Sequence, residues 1–412
     1  MSKPFPKVAS SRHADRTIQM LTELTDKMKP SSSDKSELKL SIGDPTADGN
    51  LRVPKVLEDA LVEVVQSGEY NGYPPVAGYD ETRKAVSDYL TRFCSTPSRK
   101  ENLKWSNVLI TSGGSHAIVL AMTAVANEGD NFLICAPAFP HYKAVCDSYG
   151  YECRYYPLLA ERNWEADLAA MEKLVDDRTK ALIMINPSNP CGSNWSRPHV
   201  QEVIDFCERH SLPIISDEIY SELVFSGETF SSVADFDTNV PRVILGGGAK
   251  HVVTPGWRIG WLCLVDPSGQ ATAYMEGMDR LSQLHTGANS VCQMAFAKAL
   301  LKTPQSHLDD FVRQLEAGAK VYERILEHDC GLTFSKPCAS MFIMFKINFS
   351  HFKDINDDME FYDKLLDEEN VQMLPGTIFG MSGCLRATTS RPPEVLKEAV
   401  ERIVLFCDRH SK

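Results

Sequence analysis

No CxxC pair and no cysteine–histidine cluster at zinc-ligand spacing occurs in this sequence of 412 residues, although it holds 12 cysteines. That pattern excludes a structural zinc module and a redox dithiol. The chain is also far longer than disulfide-stapled scaffolds, so reduced, mostly buried thiols are expected. No stretch approaches the ~18 consecutive apolar residues of a bilayer-spanning helix. Met1 to Ser11 has no apolar h-region, and no secretory leader is expected. Basic residues are in the minority: 43 Lys and Arg face 55 Asp and Glu, a formal net charge of −12. Neither nucleic acid nor an anionic membrane is therefore the expected partner. The dinucleotide fingerprint, a Walker sequence, HExxH, internal repeats and low-complexity tracts are all missing. A hydrolase elbow fails as well, because Ala117 stands where GxSxG needs its second glycine. The expectation is a soluble, cytoplasmic protein that handles small molecules.

What is present is a repeated pattern. Apolar runs of four to seven residues end in polar loops, and helical periodicity follows in most cases. Val108–Thr111 runs into Ser112-Gly113-Gly114-Ser115, and Phe132–Cys135 into a loop carrying Phe139. Ala181–Ile185 runs into Asn186-Pro-Ser-Asn189-Pro, and Pro213–Ser216 into Asp217-Glu218-Ile219-Tyr220. Val243–Leu245 runs into Gly246-Gly-Gly-Ala-Lys250. Near-continuous apolar strands between helices predict an α/β fold with a mainly parallel sheet covered on both faces. Ligands of such sheets gather at the carboxyl ends of the strands, where these loops lie. After about residue 303 the pattern changes to a smaller α+β unit. We divide the chain into an N-terminal arm (1–45), a large domain (46–303) and a small domain (304–412), with the arm contributing to the small domain.

The loops carry a consistent chemistry. Lys250 follows three glycines, and a lysine in a semi-apolar turn is a candidate for Schiff-base formation. Arg258, between Trp257 and Ile259, suits a phosphate. Gly113, Gly114 and Ser115 form an anion cradle at a helix start. Asp217 ends a buried strand, where it either caps a helix or holds a protonated ring nitrogen. Tyr220, one helical turn on, is either a core tyrosine or a donor to the same ring. Phe139 is placed to stack on that ring, and Asn189 to offer it an amide. Arg386 is either a surface arginine or a bidentate clamp for a carboxylate.

Taken together, Asn186-Pro-Ser-Asn-Pro-Cys-Gly-Ser193, Ser216-Asp-Glu-Ile-Tyr220, Gly246-Gly-Gly-Ala-Lys250 and Pro255-Gly-Trp-Arg-Ile-Gly-Trp261 resemble class I aminotransferases of the fold type I, pyridoxal-phosphate-dependent group. Within them, the resemblance is strongest to members acting on tyrosine. It implies a three-layer transferase fold with pyridoxal 5′-phosphate as cofactor. Lys250 would carry the cofactor and move the proton, Asp217 would pair with the ring nitrogen, and Tyr220 and Asn189 would bond its phenolic oxygen. Phe139 would stack on the ring, while Gly113, Gly114, Ser115 and Arg258 would hold the phosphate. Tyr73 would reach that phosphate from a neighbouring subunit, making a homodimer. Arg386 would bind the substrate α-carboxylate, with Gly43 and Asn189 lining the same pocket. The implied reaction is a ping-pong exchange between an aromatic L-amino acid, with alanine, methionine or leucine as further donors, and a 2-oxo acid such as 2-oxoglutarate or pyruvate. A lyase or decarboxylase on the same scaffold is the alternative. Intact Lys250, Asp217, Tyr220, Arg258 and Arg386 argue against a non-catalytic descendant. Two departures stand out. Gly247 occupies the position where many relatives carry a phosphate-binding Ser or Thr. The stretch Leu281–Ser290 also lacks the second arginine of dicarboxylate-specific members.

Overall fold

The computed structural model describes residues 7–27 and 30–412. The first strand, β1 (Leu38–Lys39), belongs to the arm. The apolar runs then become β2 (Val108–Thr111), β3 (Asn131–Ala136), β4 (Glu152–Leu159), β5 (Glu165–Ala166), β6 (Thr179–Ile185), β7 (Ile214–Asp217), β8 (Arg242–Gly247) and β9 (Gly260–Val265). They form one sheet in the order β2-β9-β8-β7-β6-β3-β4-β5. The run from β8 to β4 is parallel, while β9 is antiparallel to both neighbours and β5 antiparallel to β4. Every residue of β2, β3, β7, β8 and β9 is buried. Covering by helices on both faces is what lets such strands be apolar throughout. Each fully buried Ile, Leu or Val contributes about 1.5–3 kcal/mol of transfer free energy.

Past residue 303 come β10 (Leu332–Phe334), β11 (Phe342–Ile347), β12 (Val371–Gln372), β13 (Leu374–Pro375) and β14 (Cys384–Thr388). Four of them make an antiparallel sheet, β10-β11-β14-β13. β12 instead pairs in parallel with β1, so Leu38 and Leu40 join Ile343, Phe345, Leu385 and Phe406 in a second core. A third, smaller cluster lies at the junction. Tyr220, Leu223 and Val253 meet Phe311, Leu315, Met341 and Phe342 there. It places the loops after β7 and β8 against the helix Gln305–Leu326 and the start of β11.

Two expectations are corrected. No helix follows Asp217; the chain makes successive turns, Ser221 N–H to Glu218 C=O and Leu223 N–H to Tyr220 C=O. The reason is the buried Glu218 carboxylate. It accepts from Ser216 Oγ, Ser232 Oγ and Val233 N–H, which pulls the 232–233 segment to where a helix would continue. The arm, expected to be loosely patterned, contains helices Arg12–Arg16 and Met20–Lys27. Ser11 caps the first by accepting from Ala14 N–H. All twelve cysteines are free thiols, and most are buried.

Candidate active site

The polar loops of the large sheet meet at one place, and each arrives there for a local reason. The helix Gly114–Thr123 starts immediately after β2, with Gly113 at φ +81° as its cap. Arg258, itself at φ +56°, lies across that start. Its Nη2 donates to Ser112 C=O and to Ser115 Oγ, both at 3.2 Å. A Cβ on Gly113 would come within 2.4 Å of Arg258 Nη2, so glycine is required for this approach. The expected apolar setting of Arg258 is not what the fold provides: Ile259 is buried, but Arg258 is exposed on this chain. A solvent-facing guanidinium beside free helix-start N–H groups is a cup for a dianion.

β8 and β9 run side by side to a close, with Gly247 opposite Gly260. A Cβ at Gly247 would lie 2.9 Å from Ile259 C=O. Gly247 is therefore set by backbone packing. The turn that follows delivers Lys250, whose Nζ donates to Gly43 C=O at 2.6 Å. Burial pushes the Lys250 amine down to about 8; Asp44 opposes that shift and Arg386 adds to it. Its ammonium lies 5.8 Å from the centre of the Tyr220 ring. Tyr220 is buried and packs edge-on against Phe342. Gly43 has no room for a side chain, since a Cβ would meet Phe342 Cζ at 2.7 Å.

Asp217 is buried at the end of β7. One oxygen accepts from Tyr142 O–H at 2.9 Å and the other from Ile219 N–H at 3.2 Å. Burial raises its pKa, and the two donors restrain the rise. Tyr142 was missed by the sequence reading. Its signal was weak, a tyrosine three residues after Phe139 in a loop already full of aromatic groups. Phe139 is half-buried beside it.

Arg386, in the middle of β14, is 3% exposed. Its guanidinium carbon sits 4.3 Å from the centre of the Phe342 ring and 4.9 Å from that of Phe379. Nη1 donates to Asn189 Oδ1 at 3.1 Å and Nη2 to Ser41 C=O. Nε is buried without a partner, and among the described residues no carboxylate pairs with this side chain. Burial lowers its pKa to about 10. A guanidinium held in an aromatic box with only neutral acceptors is poised for an incoming anion. Lys250, Gly43, Asn189, Arg386 and Tyr220 are thus brought together, with Asp217 behind them and the Arg258 cup to one side. Tyr73 is not. It is 89% exposed and reaches none of these groups in its own chain.

The sequence profile described as "Aminotransferase class I and II" matches residues 35–403. The chain belongs to the class I and II aminotransferases. It is similar to the tyrosine aminotransferase of Dictyostelium discoideum, 37% identical over 98% of this chain and 97% of that one. A solved structure of tyrosine aminotransferase from Leishmania infantum superimposes with a TM-score of 0.98 at 62% identity, covering 99% of this chain and 100% of that one. An S-alkyl-thiohydroximate lyase of Arabidopsis thaliana is 32% identical over 92% of this chain and 81% of its own length. As an aminotransferase of this class, the protein is an enzyme that depends on pyridoxal 5′-phosphate. The residues present fit that group. An amine with a lowered pKa stands near a buried carboxylate, and a glycine-walled cup with an arginine across it can take a phosphate.

Proposed function

We propose that this aminotransferase moves the amino group of tyrosine and related aromatic L-amino acids to a 2-oxo acid such as 2-oxoglutarate or pyruvate, in a ping-pong sequence. The observation that carries this is Arg386, a buried guanidinium in an aromatic box with one nitrogen unpaired. Amino donor and oxo-acid acceptor share one group, the α-carboxylate. A single clamp therefore serves both half-reactions. The aromatic preference draws on the names of the relatives and on the lack of a second arginine in Leu281–Ser290.

The bound cofactor acts as an electron sink that makes the substrate Cα–H acidic. In this reading Lys250 is its covalent anchor and the base that takes and returns the Cα proton. An amine titrating at about 8 is partly neutral at physiological pH, which that role requires. Asp217 holds the ring nitrogen, with its carboxylate oriented by Tyr142 and Ile219 N–H. Tyr220 and Asn189 bond the phenolic oxygen, and Phe139 covers the ring face. Gly113, Gly114, Ser115 and Arg258 take the phosphate, and Gly43 lines the substrate pocket beside Lys250. Tyr73, exposed here, reaches the phosphate of a second copy in a homodimer. No described helix is long and apolar enough to cross a membrane, and the free thiols suit a reducing cytoplasm.

Arg386→Leu tests the reading. It should raise the apparent KM for every α-carboxylate donor and acceptor by about 10²-fold or more, the scale of a broken buried charge pair. Unchanged apparent affinities would refute the assigned role. One observation favours a second reading, a lyase on the same scaffold, namely the likeness to the S-alkyl-thiohydroximate lyase. Product identity separates the two.

A further inference from the structure

The helix His141–Tyr149 opens with two neighbours that reach in different directions. Tyr142 goes to Asp217. His141 goes to the phosphate cup: its Nε2 lies 3.3 Å from Ser115 C=O. Ser115 is the residue whose hydroxyl meets Arg258. The other ring nitrogen of His141, Nδ1, lies 2.6 Å from Gln19 Nε2, in the N-terminal arm. A carbonyl only accepts, so Nε2 must carry the ring proton. The neutral ring then presents a lone pair at Nδ1, and the Gln19 amide donates to it. Burial holds the His141 pKa down, in keeping with a neutral ring. The arm around Gln19 is tied to the same helix elsewhere. His13 Nδ1 meets Ser148 C=O and Thr17 Oγ1 meets Ser148 Oγ. The His141 ring also lies 6.1 Å from that of Phe139.

We propose that His141 is a positioning residue for the cofactor phosphate, with its tautomer set by Gln19 of the N-terminal arm. The proposal rests on the reading that Ser115 and Arg258 hold that phosphate. An anion site at a helix start works only if the first peptide units point correctly. His141 fixes the Ser115 peptide from outside the helix, so the Ser115 hydroxyl and the amides beside it keep their direction. The arm thereby reports its docking to the cofactor site through two hydrogen bonds.

The test uses the full-length chain stripped of cofactor and titrated with pyridoxal phosphate or with pyridoxal, which lacks the phosphate. His141→Phe and Gln19→Ala should each weaken pyridoxal phosphate about 3- to 10-fold, the scale of one hydrogen bond, and change pyridoxal less than about twofold. Arg258→Gln, run in parallel, should lose pyridoxal phosphate selectively and by more. If Arg258→Gln behaves so while both other variants keep the native preference for pyridoxal phosphate, the role of His141 is wrong and the phosphate reading stands. If Arg258→Gln also keeps that preference, the phosphate reading fails and the proposal with it. Equal weakening of both ligands in the His141 and Gln19 variants would mark a general packing role and overturn the proposal. Gln19→Ala, in the part-exposed arm, decides the matter alone if His141→Phe does not fold.

Discussion

Lys250 lies where burial disfavours its ammonium form, and the nearby Asp44 and Asp217 carboxylates only partly offset the effect. A lowered pKa means the amine is neutral above about 8 rather than only above its ordinary 10.5. The rate at which the cofactor-free enzyme captures pyridoxal should therefore rise with pH and level off just above 8. A rate still climbing towards pH 10 would show an unshifted lysine. Asp217 needs its Tyr142 donor, because burial alone raises its pKa. Tyr142→Phe should lower kcat about 3- to 10-fold, the scale of one hydrogen bond, with little change in melting temperature. Unaltered kcat would remove Tyr142 from the site. Lys250, Asp217, Asn189, Gly43 and Arg386 were legible in the sequence because each ends or interrupts an apolar run that cannot bury a polar group without purpose. Tyr142 and His141 were not. An aromatic residue opening a helix carries the same pattern whether it fills the core or reaches a carboxylate.

The elements explain why one departure from the family pattern is not a defect. The sequence reading treats Gly247 as a lost phosphate donor. β8 and β9 close so tightly at the Gly247–Gly260 pair that a side chain at 247 would strike Ile259 C=O. Gly247→Ser should destabilise the enzyme by about 1–3 kcal/mol through overpacking and should not tighten cofactor binding. Urea unfolding together with a cofactor titration checks both, and a stable variant with tighter binding would contradict this account. Strands were the most legible elements, since buried parallel strands write themselves as continuous apolar runs. The turn after Asp217 was less so. A buried Glu218 gathering the 232–233 segment is a tertiary contact, invisible to local periodicity. The arm helices, short and polar, carry little apolar pattern of their own. They gain support from docking on the helix His141–Tyr149.

At the scale of the molecule, the site lies where two cores and the arm meet. β1 links the arm to the second core, and the Tyr220–Phe342 cluster joins that region to the large sheet. The sequence predicts this meeting of layers, but not that the arm also touches the phosphate cup. One chain alone leaves Tyr73 89% and Leu284 79% exposed, and Gly287 packs against Pro74 between them. A homodimer covering this face should have a mass in solution twice the 45.9 kDa of one chain by light scattering. A monomer with full activity would remove Tyr73 from the site. The central claim is transamination of tyrosine through Lys250 and Arg386, and product analysis tests it most directly. Enzyme mixed with tyrosine and 2-oxoglutarate should yield 4-hydroxyphenylpyruvate and glutamate in equal amounts, and Lys250→Ala should yield neither. Ammonia or an amine as the sole nitrogen product would contradict it.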